Sequence, residues 1–278
     1  MTVDEQAEGR DLTPSPEKVA AAAEAILDQL PPAPSAPLAT YRVQLHAGFT
    51  FRDAARIVPY LAELGIDALY ASPFFRAHPG STHGYDVVDF GALNPEIGTE
   101  AELARLVAAL REHGMGLVVD FVPNHMGVAG GANAWWQDVL ENGQSSPYAG
   151  YFDIDWAPLQ SAATGKVVLP FLGDHYGAVL EKGELRLRFE AGAFTVCYYQ
   201  FPLPIAPPTY PLILRRPLPE MEARLAADDL HLLEYQSIIT AFDRLPPQSE
   251  RDPERLAERR REQVVAKRRL ADLVASSP

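Results

Sequence analysis

Three polar residues that could do chemistry accompany an apolar stretch between residues 117 and 125. Asp120 lies within the run Leu-Val-Val-Asp-Phe-Val, and Asn124 and His125 follow just beyond Pro123. An apolar run of this kind is typical of a strand buried on both faces of a parallel sheet, and proline cannot continue a central strand. The three side chains should therefore gather at the carboxyl end of a strand, where α/β folds bind ligands. One acid and one histidine can bind a polar ligand or move a proton, but they do not make a complete catalyst.

The elements that would position these residues alternate between strands and helices from residue 39 onward. Thr50 with Asp53, and Thr99 with Glu102, have the spacing of helix-capping boxes. Apolar residues follow each pair at helical intervals, and a glycine ends each pattern. The predicted elements, in order, are a strand at 39–45, a helix over 50–65, a strand at 66–71, a helix over 99–114 and a strand at 115–122.

This βαβαβ order, with short turns after the helices, predicts parallel strands and right-handed crossovers. Two architectures fit it, an open doubly wound sheet and a (β/α)8 barrel. The first turn after a strand, Gln-Leu-His-Ala-Gly-Phe-Thr, lacks the Gly-x-Gly-x-x-Gly of dinucleotide-binding folds. The long loop at 72–98 favours a barrel, because such loops build the binding site of barrels.

The alternation stops after Pro123. Residues 1–38 are rich in Ala, Pro, Glu and Ser, and we expect them to form a flexible arm. Residues 126–220 contain short strand-like pieces at 167–169, 185–189 and 193–199, and residues 221–278 have a helical pattern. A closed barrel needs eight βα units and typically ~250 residues. The chain therefore either adopts a smaller fold or is the first part of a longer protein.

Composition narrows the classes of function. The 278 residues are 47% hydrophobic and 22% charged, which is ordinary for a globular protein. No apolar run approaches the roughly 20 residues that span a bilayer, and a net charge of −13 argues against nucleic acid as a partner. The start lacks a secretory signal, and the single cysteine, Cys197, is predicted to be a buried structural thiol. We therefore predict a cytoplasmic protein with no membrane or nucleic-acid partner.

Several segments, in the right order, resemble one family. They are Tyr-Arg-Val-Gln-Leu-His-Ala-Gly-Phe-Thr-Phe at 41–51, Leu-Tyr-Ala-Ser-Pro at 69–73, Gly-Ser-Thr-His-Gly-Tyr-Asp-Val-Val-Asp at 80–89, Val-Pro-Asn-His-Met at 122–126, and Asp-Pro-Glu-Arg-Leu-Ala-Glu-Arg-Arg-Arg at 252–261. From about residue 39 onward the chain resembles the maltooligosyl trehalose synthases, a family within the α-amylase superfamily (glycoside hydrolase family 13).

The resemblance implies an α/β fold that forms the N-terminal part of a (β/α)8 TIM barrel, with about three βα units. The flexible arm at 1–38 would precede the first barrel units at 39–125. An irregular, mostly β inserted subdomain would occupy 126–220, and a helical segment at 221–278 would lead toward the rest of the barrel.

The resemblance also implies a role for each matching residue. Tyr85 would stack its ring on the sugar just before the scissile bond, and His125 would donate a hydrogen bond to a hydroxyl of that sugar. Asp120 would orient its neighbours by pairing with an arginine near the nucleophile. Asp86 would lie in the same pocket. The resemblance therefore predicts that Tyr85, Asp86, Asp120 and His125 bind the substrate.

Some of the other positions have two interpretations. His46 and His83 join the predicted substrate-binding set, although bracing of a loop explains His83 equally well. Trp135 and Trp136 would form either a sugar platform or a buried aromatic anchor. Asn124 binds calcium in many amylases, but this branch of the superfamily need not keep the metal, so we predict neither a metal nor a cofactor.

The implied chemistry needs residues that the sequence does not supply. Retaining glycosidic catalysis uses a nucleophilic carboxylate and a general acid/base about 5–5.5 Å apart, and in the family these follow the fourth and fifth strands. The nucleophile motif resembles Arg-x-Asp-His, which residues 126–278 do not contain. We therefore expect no catalytic residue in this chain, with the nucleophile and acid/base beyond residue 278. The missing C-terminal part of the same enzyme would be a partner.

The function that the resemblance implies is isomerisation of the terminal α-1,4 linkage of a maltooligosaccharide to α-1,1, in trehalose biosynthesis. The reaction is an intramolecular transglycosylation, so the maltooligosaccharide is the expected partner. Two alternatives remain open, an α-amylase-like glucan hydrolase and a non-catalytic glucan-binding module.

Overall fold

The computed structural model describes residues 15–27, 36–159 and 161–276. Most of the predicted flexible arm, at 1–14 and 28–35, lies outside these ranges. The elements up to residue 119 are α1 (Pro16–Leu27), β1 (Thr40–Val43), α2 (Phe51–Glu63), β2 (Ala68–Ala71), β3 (Phe75–Ala77), β4 (Val87–Leu93), α3 (Glu100–Glu112) and β5 (Gly116–Val119).

A three-stranded parallel sheet with the order β1-β2-β5 organises this half of the chain. Its register aligns Arg42 with Tyr70 and Tyr70 with Val118, so these three side chains share one face. The other face packs on α2 and α3, where Leu69 joins Phe51 and residues of both helices in a buried core. Helices therefore cover one face of the sheet, and the face that carries Arg42 stays open.

Both helices that cover the sheet begin with the predicted capping boxes. The Asp53 carboxylate accepts from the Thr50 backbone N–H at 3.0 Å, and the Glu102 carboxylate accepts from the Thr99 backbone N–H at 2.9 Å. Each carboxylate satisfies a backbone donor that the first turn of a helix cannot use internally. The predicted helices and the three predicted strands are confirmed, although each strand is shorter than expected.

The segment at 72–98 is more ordered than the predicted long loop, because β3 and β4 pair in it as an antiparallel hairpin. The pairing is interrupted by two register shifts, and β3 has only three residues. Gly84 allows the tip of this segment to pack closely against the residues that follow β2. A Cβ at Gly84 would lie 2.4 Å from the carbonyl oxygen of Pro73, and its φ is +77°, so only glycine fits there without a shift.

The second half of the chain is mixed. Its elements are α4 (Ala134–Asn142), α5 (Tyr176–Glu181), β6 (Leu185–Glu190), β7 (Ala193–Tyr198), β8 (Phe201–Pro204), α6 (Tyr210–Leu214), α7 (Leu218–Arg224), α8 (Leu230–Asp243) and α9 (Pro253–Ser276). The strands expected at 185–189 and 193–199 are confirmed as β6 and β7, which form an antiparallel sheet with β8. The piece at 167–169 has no regular structure. The prediction of a mostly β segment at 126–220 is wrong, since helices occupy more of it than strands.

A second core joins this antiparallel sheet to the C-terminal helices. Tyr210, Ile238, Phe242 and Leu270 are buried in it, and Phe194 of β7 packs against the Tyr210 ring at 4.9 Å. Cys197 is buried in β7, as predicted. Within the described ranges, no helix is both long and apolar enough to cross a membrane.

Polar contacts fasten the C-terminal helices to α4, and we call this set of contacts the α4–α9 clasp. Lys267 on α9 forms an ion pair with Glu141 on α4. The side chain of Gln248 donates to the Glu141 backbone carbonyl at 2.8 Å, and Arg251 donates to the Gln144 side chain at 2.9 Å. The clasp therefore joins the loop region after the parallel sheet to the last helix of the chain.

Candidate functional site

Tyr85 and Asp120 meet at the carboxyl end of the parallel sheet. The Tyr85 hydroxyl donates to Oδ2 of Asp120, and Tyr70 donates to the same oxygen at 3.3 Å. Arg42 donates to the Tyr85 hydroxyl at 3.1 Å and lies 3.7 Å from Asp120 Oδ2. One carboxylate oxygen, two phenols and a guanidinium thus form a connected polar network.

The sheet register explains how three of these residues meet. Arg42 of β1 and Tyr70 of β2 are aligned across the open face, and Asp120 follows β5 on that same face. The Arg42 guanidinium lies 5.6 Å from the centre of the Tyr70 ring, where the ring face attracts a cation. Tyr85 reaches the network from the loop between β3 and β4, which can approach β2 closely because residue 84 is a glycine.

The network shifts the pKa of two of its members, Tyr85 and Arg42. The hydrogen bond to Asp120 raises the pKa of Tyr85 above its ordinary value, so the phenol stays neutral and donates. The hydrogen bond to Tyr85 is the main cause that raises the pKa of Arg42, and the nearby Asp120 carboxylate acts in the same direction with a smaller effect, so Arg42 stays cationic. Because Oδ2 of Asp120 already has three partners, the carboxylate is better suited to orient groups than to attack a sugar.

His125 is attached to the backbone of the same loop. Its Nε2 lies 3.1 Å from the carbonyl oxygen of Tyr85. A carbonyl only accepts hydrogen bonds, so this contact assigns the proton to Nε2. In the neutral ring the other nitrogen, Nδ1, is then an acceptor.

The side chains of Asp86 and His83 make their polar contacts within the loop that carries Tyr85. Ser81 donates to Asp86 Oδ1 at 2.5 Å, and His83 Nδ1 lies 3.8 Å from the same oxygen. His83 Nδ1 also accepts from the backbone N–H of Tyr85 at 3.1 Å. Of the two interpretations of His83, these contacts support loop bracing, although its ring also stacks near that of Tyr85, at 6.1 Å.

His46 occupies a separate turn after β1. Its Nδ1 accepts from the Gly48 backbone N–H at 3.0 Å, and its backbone pairs with Phe49. Among the hydrogen bonds of the described residues, none joins His46 to Tyr85 or Asp120. Of the six predicted substrate-binding residues, the structure therefore brings Tyr85, Asp120 and His125 together, places Asp86 and His83 in the supporting loop, and sets His46 apart.

Sequence reasoning missed Arg42, Gln44 and Tyr70. The side chain of Gln44 accepts from Arg42 at 3.0 Å and donates to the backbone carbonyls of Thr82 and His83, so it ties the loop to β1. Arg42 and Gln44 alternate with the buried Val43 and Leu45. Two polar residues on one face, near the carboxyl end of a strand, are the sequence pattern from which Arg42 and Gln44 could have been predicted.

A cleft of about 510 Å³ adjoins the network. His125 and Asn124 line it together with Trp135, which stacks on the ring of Tyr148 with 5.1 Å between ring centres. Trp136 is instead only 9% exposed and packs on Phe152. Of the two interpretations of this tryptophan pair, Trp136 is the buried anchor, and Trp135 remains available as a platform. In the described part of the chain, no group of three His, Cys, Asp or Glu residues is placed to hold a metal ion.

Comparisons with known proteins find similar sequences among enzymes that act on α-glucans, by the names they carry. The model of the α-amylase catalytic domain matches residues 55–178. A Mycobacterium tuberculosis protein assigned as a maltooligosyl trehalose synthase is 46% identical over 170 residues, which cover 56% of this chain and 22% of the relative. The α-amylase SusG of Bacteroides thetaiotaomicron is 37% identical over 111 residues, which cover 40% of this chain and 15% of SusG.

Solved structures of maltooligosyl trehalose synthases are also similar to part of this chain. The maltooligosyltrehalose synthase of Arthrobacter ramosus superposes with a TM-score of 0.54 at 47% identity, covering 61% of this chain and 21% of the other. Another structure of a maltooligosyl trehalose synthase gives a TM-score of 0.55 at 38% identity, covering 60% and 22%. The chain thus spans about a fifth of the length of these relatives. Part of this chain is thus similar to maltooligosyl trehalose synthases, and residues 55–178 match the catalytic domain of α-amylases.

Proposed function

We propose that this chain forms the substrate-holding part of a maltooligosyl trehalose synthase, which converts the terminal α-1,4 linkage of a maltooligosaccharide to α-1,1. The observation that carries the proposal is the network of Arg42, Tyr85 and Asp120 beside His125. It stands at the carboxyl ends of parallel strands, in a chain that is 46% identical over 170 residues to a protein assigned to that family. The rearrangement is intramolecular and needs no external cofactor.

Tyr85 presents its ring to the sugar in this proposal. Because Arg42 and Asp120 hold the hydroxyl from two directions, the ring is fixed before the substrate arrives, and little conformational entropy is lost on stacking. The C–H face of a pyranose packs well on such an aromatic face. Since Nε2 of His125 is engaged with a backbone carbonyl, we propose that Nδ1 accepts from a sugar hydroxyl, in place of the donation expected from the sequence.

Asp120 acts as an orienting group and not as the nucleophile. Its carboxylate oxygen receives hydrogen bonds from Tyr85 and Tyr70 and faces the Arg42 cation, which lowers its reactivity toward an anomeric carbon. We propose that the nucleophile and the acid/base are contributed by a part of the enzyme outside this sequence. Asp86 and His83 then support the substrate site only indirectly, through the loop that carries Tyr85, and His46 has no part in it.

The parallel sheet is proposed to be the first three strands of a (β/α)8 barrel in residues 39–125, with the inserted segment at 126–220 and helices at 221–278. Val118 and Val119 of β5 are 37% and 39% exposed, whereas a parallel sheet normally buries both faces. The missing part of the barrel would cover them and would meet this chain along β5. We place the enzyme in the cytoplasm.

The first test is incubation of the chain with maltopentaose. Isomerisation to an α-1,1 linkage removes a reducing end, so a reducing-sugar assay follows the reaction directly. We expect maltopentaose to bind, as measured by calorimetry, without loss of reducing ends until the remaining part of the enzyme is added. Substitution Tyr85→Ala should abolish most of the binding, whereas Tyr60→Ala, at an exposed position on α2, should not. Normal turnover by the chain alone would contradict the claim that the catalytic carboxylates lie elsewhere.

A second candidate is an α-amylase-like glucan hydrolase, because the α-amylase SusG and a maltogenic α-amylase are also similar to part of this chain. Hydrolysis creates a reducing end, and isomerisation removes one. The sign of the change in reducing ends, measured on the completed enzyme, therefore separates the two activities.

A further inference from the structure

The cleft beside the polar network has the composition of a carbohydrate site. Its volume of about 510 Å³ lies within the ~300–1,000 Å³ typical of small-molecule sites. Both aromatic and polar side chains line it, among them Phe121, Asn124, His125, Trp135, Tyr151 and Asp153. Sugars need both kinds of group, since a pyranose has an apolar C–H face and a rim of hydroxyls.

Two of the aromatic rings of the cleft, those of Trp135 and Tyr151, are in contact with each other. Trp135 lies flat against Tyr148, with an angle of 8° between the ring planes. Tyr151 contacts Trp135 at 5.1 Å with a tilt of 50°, and it is 69% exposed. Tyr148 thus backs the tryptophan, while Tyr151 stands open to solvent beside it.

The base of this arrangement is rigid. Trp135 lies in the first turn of α4, where the Asn133 side chain accepts from the Trp136 backbone N–H at 3.0 Å and donates to the Gly127 carbonyl at 3.0 Å. Trp136, buried behind it, anchors the helix. Trp135 is half-buried and Tyr151 is exposed, and large aromatic side chains that remain accessible to solvent are typical of binding surfaces.

We propose that Trp135 and Tyr151 form a second sugar-contact surface for an α-1,4-linked glucan, holding glucose units beyond the one at Tyr85. The proposal deepens the function proposed above and rests on it for the identity of the glucan. Asn124, His125 and Asp153 are placed to bind hydroxyls of the same units.

The angle between the rings selects the type of linkage. An α-1,4-glucan is curved, so its successive glucose units present their faces at an angle to one another. A β-1,4-glucan is a flat ribbon whose units present nearly parallel faces. Two rings tilted by 50° therefore match a curved chain better than a flat one.

The surface is continuous with the first site. His125 lines the cleft and is also bonded to the Tyr85 carbonyl, and Phe121, the residue after Asp120, forms another part of the cleft wall. One glucan can therefore run from the Tyr85 ring across His125 to the tilted aromatic pair. A longer glucan should then bind more tightly than a short one.

The test is calorimetric titration of the full chain with maltotriose, maltoheptaose and cellohexaose. We expect Tyr151→Ala to weaken maltoheptaose binding about three- to tenfold, which is the range for loss of one aromatic stacking contact, and to change maltotriose binding little. Trp135→Leu should act in the same direction. Tyr176→Ala, at an exposed tyrosine of α5, is the matched control and should bind like the wild type.

Fluorescence gives an independent measurement. The chain has three tryptophans, and maltoheptaose should shield Trp135 from acrylamide quenching in the wild type but not change the quenching of Trp135→Leu. Because Tyr151 is exposed, its replacement should not impair folding, which the thermal melt of each variant verifies.

The outcomes separate this proposal from the proposed function. If Tyr85→Ala weakens maltoheptaose binding and Tyr151→Ala does not, the second surface is overturned and the function proposed for Tyr85 stands. If only Tyr151→Ala weakens it, the second surface is supported and the proposed role of Tyr85 is refuted. Absence of maltoheptaose binding by the wild type, or equally tight binding of cellohexaose, would also overturn the proposal.

Discussion

Removal of one hydroxyl, in Tyr85→Phe, tests the polar network most directly. The substitution keeps the ring that is proposed to stack on a sugar. It deletes the donor to Asp120 and the acceptor for Arg42. Any change in stability therefore comes from the hydrogen bonds and not from the packing of the ring.

The size of the effect follows from the surroundings of the two partners. A hydrogen bond to a charged group contributes about 1.5–3 kcal/mol when it is well shielded. The Asp120 side chain is 11% exposed, so little water can replace the lost donor, but Arg42 is 39% exposed and can be rehydrated. The contact with Asp120 therefore dominates, and solvent around Arg42 lowers the total. We expect Tyr85→Phe to reduce the free energy of unfolding by about 1–2 kcal/mol.

The effect should depend on pH in one direction. Because the bond to Asp120 raises the pKa of Tyr85 in the folded state, the neutral phenol stabilises the fold fully below the unfolded tyrosine pKa of about 10. This contribution is lost as the pH rises from that value through the higher folded-state pKa. The difference between the wild type and Tyr85→Phe should therefore be constant near neutral pH and shrink in strongly alkaline solution.

Urea denaturation at a series of pH values measures this difference. Tyr60→Phe, at an exposed tyrosine on α2, is the matched control and should change the unfolding free energy by less than about 0.5 kcal/mol. A double-mutant cycle with Asp120→Asn isolates the coupling between the two side chains. A coupling indistinguishable from zero, or a difference that grows above pH 10, would refute the reasoning.

Three further substitutions test other parts of the structure. Gly84→Ala should destabilise the chain by at least about 1–3 kcal/mol in urea denaturation, because its Cβ would meet the Pro73 carbonyl at a positive φ. Tyr210→Phe should lower the free energy of unfolding by about 1–3 kcal/mol, since it leaves the buried backbone N–H of Phe194 without its 3.0 Å acceptor. Asn133→Ala should lower the thermal midpoint through loss of about 1 kcal/mol or more from the start of α4, and should weaken maltoheptaose binding in calorimetry. An unchanged midpoint in any of the three would contradict the contact on which it rests.

The elements around the parallel sheet were predictable because their signals are local. The capping pairs Thr50 with Asp53 and Thr99 with Glu102 mark helix starts within four residues of sequence, and the apolar spacing that follows is set by the helix itself. The hairpin of β3 and β4 was missed for the opposite reason. Its pairing is short and shifts register twice, so no regular alternation marks it in the sequence.

The candidate site was predictable only in part. Motif resemblance pointed to Tyr85, Asp120 and His125, which do meet. The partnership of Asp120 with Arg42 and Tyr70 depends on the register between strands far apart in sequence, and no local pattern encodes that register.

The environments of Trp135 and Trp136 were also predictable only in part. Adjacent helical residues point about 100° apart, so Trp135 and Trp136 had to face different surroundings. Which of the two would be buried depends on where α4 packs. The position of Tyr151 beside Trp135 depends on the irregular turns that follow that helix.

The α4–α9 clasp connects two parts of the chain that are distant in sequence, so their association does not depend on the covalent backbone alone. The clasp joins residues 107 and 126 positions apart, and it encloses an irregular stretch in which Leu159 and Val168 are strongly exposed. A protease should cut this stretch first, since exposed irregular segments are the preferred sites of cleavage. The two pieces would stay associated through the clasp and through the packing of α4 against β8, so a nicked molecule would elute as one species under native conditions and separate into two only when denatured.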